Sequence, residues 1–224
     1  MLIEGLAPWR PAAVVFDMDG LMLDSERVDR AAWQTVAARH GFEFSDHLHS
    51  SLIGRRAIET EAELRAHYGP SFDYAAVRAE VRALWREQIT SGGIPLKPGL
   101  LELLDHLDRA QIPKAVATST ARVSALAALG ALIERLDVLV CGDEVARSKP
   151  APDIYLSAAE RLRVPAEVCL ALEDSLAGVA AATAARMTVV MVPDLVQPTA
   201  DVRFRCRSLH DVTAWLLAAD AAAP

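Results

Sequence analysis

The stretch AAVVFDMDG, residues 12–20, decides the fold, because an apolar run passes directly into two carboxylates and a glycine. Consecutive apolar residues are typical of a strand that is covered on both faces of its sheet. Ligands of open parallel sheets bind beyond the carboxyl ends of the strands. We therefore predict a buried strand over Ala12–Phe16 that places Asp17 and Asp19 at a ligand-binding edge.

Four further apolar runs follow along the chain, and longer stretches rich in Ala, Leu, Arg and Glu separate them. The runs predict strands at 115–117, 138–141, 168–172 and 188–192. The longer stretches predict helices at 100–110, 121–129, 153–162, 176–185 and 209–217. Such alternation is typical of an α/β fold, so we predict a doubly wound, Rossmann-like parallel sheet.

The segment between the first strand and Ile112 is too long for a single crossover helix. It contains helical patterns of its own at 26–40, 56–67 and 74–90, separated by glycines and a Gly-Pro pair. We predict that residues 25–93 form an inserted α-helical cap domain and that residues 1–24 and 94–224 form the α/β core. The stretch SGGIP, residues 91–95, is expected to act as the hinge.

Composition and charge exclude several classes of function. The chain has 224 residues, and 52% of them are hydrophobic, which is enough to bury a sizeable core. Lys and Arg total 23 against 30 Asp and Glu, and the net charge of −7 lacks the basic footprint of a nucleic-acid binder. No apolar stretch of the sequence approaches the length of roughly 20 residues that a helix needs to cross a bilayer. We expect no nucleic-acid or membrane partner.

The cysteines and the N-terminus indicate the compartment. Cys141, Cys169 and Cys206 form no C-x-x-C pair, so we expect reduced, buried thiols rather than a disulfide or zinc framework. The first residues lack the basic start of a secretory signal. We therefore expect a cytoplasmic protein. We also expect a monomer, since the predicted helices cover the chain's own sheet.

Polar residues end the predicted strands and form a coherent set. Asp17 and Asp19 follow the first strand, the run 118–120 (Thr-Ser-Thr) the second, Lys149 the third, and the run 173–174 (Glu-Asp) the fourth. A single Asp at a strand end is usually a turn or capping residue, but four such ends converge on one edge. Clustered carboxylates repel one another unless a cation neutralises them, which predicts a site for Mg²⁺.

A metal held by carboxylates beside a Lys and a hydroxyl suits phosphoryl transfer. One carboxylate of the Asp17/Asp19 pair would attack phosphorus, and the other would protonate the leaving oxygen and later deprotonate water. Thr118 would bind a phosphoryl oxygen, and Lys149 would neutralise charge and hold the nucleophile. Asp174, helped by Glu173, would hold the metal.

Other polar residues are candidates for contacts with the rest of the substrate. These candidates are Ser119, Thr120, Arg122, Arg55 and Arg56, although arginines at helix starts are also ordinary surface residues. We expect His47 and His49 to be exposed histidines of an irregular segment, since they form no complete ligand set. Asp143 is interpreted as a turn residue. Trp33, Leu84 and Trp85 are expected in the core of the cap.

The chain resembles the haloacid dehalogenase superfamily, specifically its phosphatases with a small helical cap. The resemblance rests on four motifs in order: FDMDGLMLDSE at 16–26, Thr118, SKPAPD at 148–153 and LEDS at 172–175. It implies that Asp17 is the nucleophile and Asp19 the general acid and base. It also implies that Asp17, the carbonyl of Asp19 and Asp174 hold Mg²⁺.

The resemblance favours a phosphatase that acts on a small phosphorylated metabolite. Family dehalogenases and phosphonatases lack an acid at the position of Asp19, so its presence favours cleavage of a P–O ester. The alternative is a β-phosphoglucomutase, which has a His where this chain has Asp29 and an Arg where it has Ala57. The stretches VDRA, 28–31, and ARM, 185–187, are more similar to sugar- and hexitol-phosphate phosphatases.

A phosphate-accepting signalling module is the alternative outside the enzymes. Receiver domains also gather carboxylates, a hydroxyl and a Lys around magnesium. Their phosphorylated Asp follows the third strand, however, whereas Asp17 and Asp19 follow the first strand here. The order of the motifs therefore favours the hydrolase.

Overall fold

Five parallel strands form one sheet in the part of the chain that the computed structural model describes, residues 3–52 and 57–222. In chain order they are β1 (Ala13–Phe16), β2 (Lys114–Thr118), β3 (Val138–Cys141), β4 (Cys169–Glu173) and β5 (Thr188–Met191). The spatial order is β3-β2-β1-β4-β5, with every pair parallel. The predicted doubly wound α/β fold is confirmed, and each predicted strand is present within a residue or two of its expected ends.

β1 is the central strand of the sheet. β1 pairs with β2 on one side and with β4 on the other, with Phe16 opposite Val116 and Leu172. All four β1 side chains are buried, because helices cover both faces of a parallel sheet. The residues that follow β1, β2 and β4 therefore emerge side by side at the carboxyl edge.

Helices connect the strands and make up the inserted segment. In chain order they are α1 (Ser25–His40), α2 (Asp46–Leu52), α3 (Ala57–Tyr68), α4 (Tyr74–Gly92), α5 (Leu100–Arg109), α6 (Arg122–Leu129), α7 (Asp153–Leu162), α8 (Leu176–Ala184) and α9 (Leu209–Ala222). The chain divides into two compact units, one of Met1–Asp24 with Pro95–Pro224 and one of Ser25–Ile94. None of the described helices has the length and apolar character that a membrane span requires.

The first unit has its core between the sheet and its helices. On α5, Leu100, Leu103, Leu104 and Leu107 are fully buried, and their helical spacing places them on one face. On the sheet, Val15, Ala117 and Ala171 pack in one cluster with Tyr155 of α7. The predicted buried, reduced cysteines are confirmed, since Cys141, Cys169 and Cys206 are all buried and free.

The second unit, α1 to α4, packs around aromatic side chains. Trp33 of α1 is buried and stacks on Phe44 with ring centroids 5.1 Å apart. Leu84 packs against this core partly buried, as expected, whereas Trp85 is half-buried and does not join the cluster. α4 continues through Gly92, so the first part of the predicted hinge at 91–95 is helical.

The expectation of an irregular segment around His47 and His49 was wrong. Residues 46–52 form α2, which begins where the Ser45 hydroxyl accepts the N–H of Leu48 at 3.1 Å. His47 is exposed as expected. His49 instead has a side chain only 4% exposed, with Nε2 3.7 Å from Glu26 Oε2. Leu48 and His49 lie on the buried face of α2.

Candidate active site

Asp17 lies at the end of β1, where the sheet continues to hold its backbone. Its N–H donates to the carbonyl of Leu172 at 3.0 Å, as a further rung of the β1–β4 pairing. Its side chain is 10% exposed, and Lys149 Nζ donates to Asp17 Oδ1 at 2.5 Å. Burial raises the pKa of Asp17 to about 8 against the attraction of Lys149, and the charges of Glu173 and Asp19 add to the rise.

Lys149 lies between two carboxylates. Its Nζ donates to Glu173 Oε1 at 2.6 Å as well as to Asp17, and its side chain is only 6% exposed. Burial opposes the charged form, but the two carboxylates outweigh burial and raise the pKa of Lys149. A buried ammonium is stable here because two carboxyl groups accept hydrogen bonds from it.

Glu173, the last residue of β4, is fully buried and accepts hydrogen bonds at both oxygens. Oε1 accepts from Lys149 Nζ and from the Tyr155 hydroxyl, each at 2.6 Å. Oε2 accepts from the N–H groups of Asp174 and Ser175 at 3.1 Å and from Ser175 Oγ at 3.0 Å. These five donors exceed the roughly four lone-pair sites of a carboxylate, so Glu173 is saturated by the protein.

Asp17, Glu173 and Asp174 form a buried acidic cluster among the described residues. One ligand atom from each lies within 4.8 Å of the other two. Lys149 brings one positive charge to this cluster, and the cluster offers hard carboxylate oxygens. The carboxylate oxygens of Asp17 and Asp174 fit a divalent cation such as Mg²⁺ rather than a soft metal, whereas those of Glu173 already accept hydrogen bonds from the protein.

Two hydroxyl groups contact the carboxylate of Asp19. Thr120 Oγ1 donates to Asp19 Oδ2 at 2.7 Å, and Thr118 Oγ1 lies 3.4 Å from the same oxygen. The N–H of Thr120 donates to Thr118 Oγ1 at 3.0 Å, which closes a turn at the end of β2. Asp17 and Asp19 are thus held by different elements in different electrostatic surroundings.

Close packing of the loop after β1 positions Asp174. Gly20 has φ of +82°, and a Cβ atom there would overlap the carboxylate of Asp174. A side chain at this position would therefore both strain the backbone and displace the carboxylate. The order of β1, β2 and β4 thus brings together Asp17, Asp19, Thr118, Glu173 and Asp174, and the segment between β3 and α7 adds Lys149 through its hydrogen bonds to Asp17 and Glu173.

Comparison with known proteins identifies the family. Residues 11–186 match the family model described as haloacid dehalogenase-like hydrolase. The chain belongs to this family. The predicted membership of the haloacid dehalogenase superfamily, as a hydrolase, is confirmed.

Similar proteins of the haloacid dehalogenase-like family include named phosphatases. Protein CbbY of Rhodobacter capsulatus is 34% identical over 192 residues, which cover 81% of this chain and 85% of that protein. Validoxylamine A 7'-phosphate phosphatase of Streptomyces hygroscopicus subsp. limoneus is 37% identical over 172 residues, 75% of this chain and 79% of that protein. Hexitol phosphatase A of Escherichia coli K12 is 35% identical over 180 residues, which cover 80% of this chain and 81% of that protein.

Solved structures of the family share the fold. A haloacid dehalogenase family hydrolase from Deinococcus radiodurans R1, with bound phosphate and sodium, matches with a TM-score of 0.80 and 27% identity. That match covers 98% of this chain and 100% of the other. CbbY of Rhodobacter sphaeroides in complex with phosphate matches with a TM-score of 0.76 and 27% identity, over 92% of this chain and 99% of the other.

Some substrate-binding candidates of this family member make contacts away from the acidic cluster. The guanidinium of Arg122 pairs with Glu144 at 3.1 Å and donates to the carbonyl of Leu139 at 2.9 Å. Asp143 was predicted in a turn and lies in a single 3-10 helical turn, Gly142–Glu144, where it accepts the N–H of Arg122 at 3.0 Å. Ser119 is exposed at the end of β2. Arg55 and Arg56 lie outside the described residues.

Sequence reasoning missed two residues of the site. Tyr155 was not singled out, because an apolar helix position that holds a tyrosine is indistinguishable from ordinary core. Gly178 was also missed, although a Cβ atom there would overlap the carboxylate of Glu173. The signal for Gly178 was its place in the first turn of the helix that follows the LEDS motif, where Ser175 Oγ accepts its N–H at 3.1 Å.

Proposed function

We propose that this hydrolase cleaves small phosphomonoesters, sugar or polyol phosphates, with Mg²⁺ and through an aspartyl phosphate. The observation that carries the proposal is that the two carboxylates, Asp17 and Asp19, have different hydrogen-bond partners. Asp17 is held by Lys149 at 2.5 Å, and Asp19 is held by Thr120 at 2.7 Å. Two carboxylates in different environments suit two different roles. The similarity to phosphatases of phosphorylated carbohydrates and hexitols supports the substrate class.

In the first step Asp17 is the nucleophile. A carboxylate oxygen of Asp17 forms a bond to phosphorus while the bond from phosphorus to the ester oxygen breaks. Asp19, as the carboxylic acid, gives its proton to the departing alcohol oxygen. Lys149 keeps the Asp17 carboxylate oriented and balances the charge on the transferring group, and Thr118 donates to a phosphoryl oxygen.

In the second step the roles of Asp19 reverse. Its carboxylate takes a proton from water, the water oxygen attacks phosphorus, and the bond from phosphorus to Asp17 breaks. Inorganic phosphate leaves, and Asp17 and the protonated Asp19 are restored. Thr120 holds Asp19 through both steps, because its hydroxyl donates to Oδ2.

The metal would be held by Asp17, the backbone carbonyl of Asp19 and Asp174. When bound, Mg²⁺ supplies positive charge that offsets the phosphate dianion and the clustered carboxylates. The sequence predicts Glu173 as a helping ligand, but both of its oxygens are saturated by protein donors. We therefore assign Glu173 to holding Lys149 rather than to holding the metal.

Release of phosphate from a panel of sugar, polyol and nucleotide monophosphates tests the proposal. The panel is run with Mg²⁺ and with EDTA, and β-glucose 1-phosphate is followed in parallel for conversion to glucose 6-phosphate. We expect Mg²⁺-dependent release from a small set of sugar or polyol phosphates. Isomerisation without net release would establish the mutase instead, and no reaction in either assay would favour the phosphate-accepting signalling module.

A further inference from the structure

The hydroxyl of Tyr155 lies beneath the site and serves a charged partner. Tyr155 is on the first turn of α7, is fully buried, and donates to Glu173 Oε1 at 2.6 Å. A buried tyrosine hydroxyl needs a partner, and a carboxylate forms a stronger hydrogen bond than a neutral group does. Tyr155 is therefore tied to the ionic part of the site as well as to the apolar core.

The same oxygen of Glu173 holds Lys149. Lys149 Nζ donates to Glu173 Oε1 at 2.6 Å and lies 5.0 Å from the centroid of the Tyr155 ring. A ring within about 6 Å of an ammonium attracts it through the negative charge on the face of the ring. Tyr155 thus touches Lys149 through its ring and the counter-ion of Lys149 through its hydroxyl.

The ammonium of Lys149 is divided between two competing carboxylates. Asp17 Oδ1 and Glu173 Oε1 accept from Nζ at 2.5 and 2.6 Å. A hydrogen bond from Tyr155 withdraws negative charge from Oε1 and weakens its hold on the ammonium. Without that hydrogen bond, Oε1 would serve Lys149 alone and would draw Nζ away from Asp17.

Glu173 cannot turn to compensate for the loss. Its second oxygen accepts hydrogen bonds from the backbone N–H groups of Asp174 and Ser175 and from Ser175 Oγ, and Gly178 packs directly against the carboxylate. If the Tyr155 hydroxyl is lost, Lys149 would therefore move and Glu173 would stay in place. The four-carbon stem of a lysine allows such a shift, whereas the saturated carboxylate does not.

We propose that Tyr155 is a positioning residue, whose hydroxyl sets the division of Lys149 between Glu173 and the nucleophile Asp17. The inference rests on the proposed function, since it concerns the charge balance around the phosphoryl group. This role belongs to the hydroxyl alone, because phenylalanine would supply the same ring and the same packing. The hydroxyl orients Lys149 through Glu173, and the ring packs in the apolar core.

Tyr155→Phe tests the inference against the matched control Tyr68→Phe. Tyr68 also loses a hydroxyl hydrogen bond, the one it donates to the carbonyl of Glu43 at 2.5 Å, within the second unit. We expect kcat of Tyr155→Phe to fall about tenfold with KM within about twofold of the wild type. Tyr68→Phe should match the wild type in both constants. A crystal structure of Tyr155→Phe should show Lys149 Nζ shifted from Asp17 towards Glu173.

The outcomes separate this inference from the proposed function. Unchanged kcat in Tyr155→Phe, with active wild type and control, would overturn the role of Tyr155 and leave the proposed function standing. A lower kcat with Lys149 in its original place, or a variant that does not fold, would also overturn it. Absence of phosphate release from the wild type and the control would refute the proposed function and, with it, this role.

Discussion

Thr120 Oγ1 donates a hydrogen bond to Asp19 Oδ2 at 2.7 Å, and this bond joins the end of β2 to the loop after β1. Asp17, two residues earlier, has the ammonium of Lys149 as its partner. The ammonium of Lys149 opposes the burial that raises the pKa of Asp17 to about 8 and so favours the ionised, nucleophilic carboxylate, whereas a hydroxyl can serve a carboxylate or a carboxylic acid. The partners therefore suit Asp17 to attack and Asp19 to exchange a proton.

Thr120→Val should lower kcat about tenfold, because it removes the donor that orients Asp19 and keeps the shape of the side chain. Steady-state phosphate release measures the effect. A rise in KM with unchanged kcat would instead support the prediction from sequence that Thr120 binds substrate. The control is Thr90→Val on α4, where the hydroxyl donates to the carbonyl of Arg86 at 3.1 Å. This control should retain full activity.

Asp17→Asn should abolish turnover and leave the fold intact. The amide has nearly the same volume as the carboxylate but is not a nucleophile towards phosphorus. The measurement pairs phosphate release with circular dichroism and thermal unfolding. Asp73→Asn is the matched control, since Asp73 caps α4 by accepting the N–H of Ala76 at 3.0 Å and asparagine caps equally well. Substantial Mg²⁺-dependent activity in Asp17→Asn would show that another group is the nucleophile.

The sequence predicted the sheet and the motif positions because both depend on local patterns. Apolar runs that end in polar residues identified β1, β2 and β4, and the parallel order of strands brings such ends to one edge. Lys149 was predicted from its motif, and the structure adds its position between Asp17 and Glu173. The hydrogen bonds of Glu173 could not be predicted, because the sequence does not show which donors will surround a carboxylate.

Residues that act through packing could not be predicted. α2 was missed because its stretch, DHLHSSL, has no strong apolar period, and contacts such as that of His49 with Phe44, with ring centroids 6.1 Å apart, decide its burial. Arg122 looked like an anion binder from its position after a strand. It pairs with Glu144, which becomes its neighbour through the turn after β3. Such pairings depend on tertiary structure that no local pattern encodes.

The three cysteines should be unreactive in the folded protein at pH 8. Burial raises the pKa of Cys141 and of Cys169 to about 11 and that of Cys206 to about 12. The thiolate is the reactive form, so labelling with a thiol reagent should be slow on the folded chain and complete for three thiols in urea. Rapid labelling of the native protein would contradict the burial of these thiols.

The raised pKa values of the three thiols make the free energy of unfolding depend on pH. They lie above the value of 9.0 for an unperturbed thiol, so between pH 9.0 and the folded pKa values the folded chain binds more protons than the unfolded chain. This contribution to stability is complete below pH 9 and is lost as the pH rises through 11 to 12. Urea unfolding of Cys206→Ala and the wild type at pH 8 and pH 10 measures it, and the variant should lose less stability between the two.

Gly178→Ala should impair both stability and activity, because the added methyl group would occupy the place of the Glu173 carboxylate. Displacement of Glu173 would break its hydrogen bonds to Lys149 and Tyr155, so we expect kcat to fall more than about tenfold. Overpacking of this kind also costs about 1–3 kcal/mol in the free energy of unfolding. Urea unfolding and steady-state phosphate release measure the two effects.

Gly92→Ala is the control for this substitution. Gly92 ends α4, and an added Cβ there would meet nothing closer than Gln88 Nε2 at 3.8 Å. Because alanine favours a helix over glycine by roughly 1 kcal/mol, Gly92→Ala should be neutral or stabilising and fully active. Equal activity of the two variants would show that Glu173 tolerates displacement. Its assignment as the group that holds Lys149 would then be wrong.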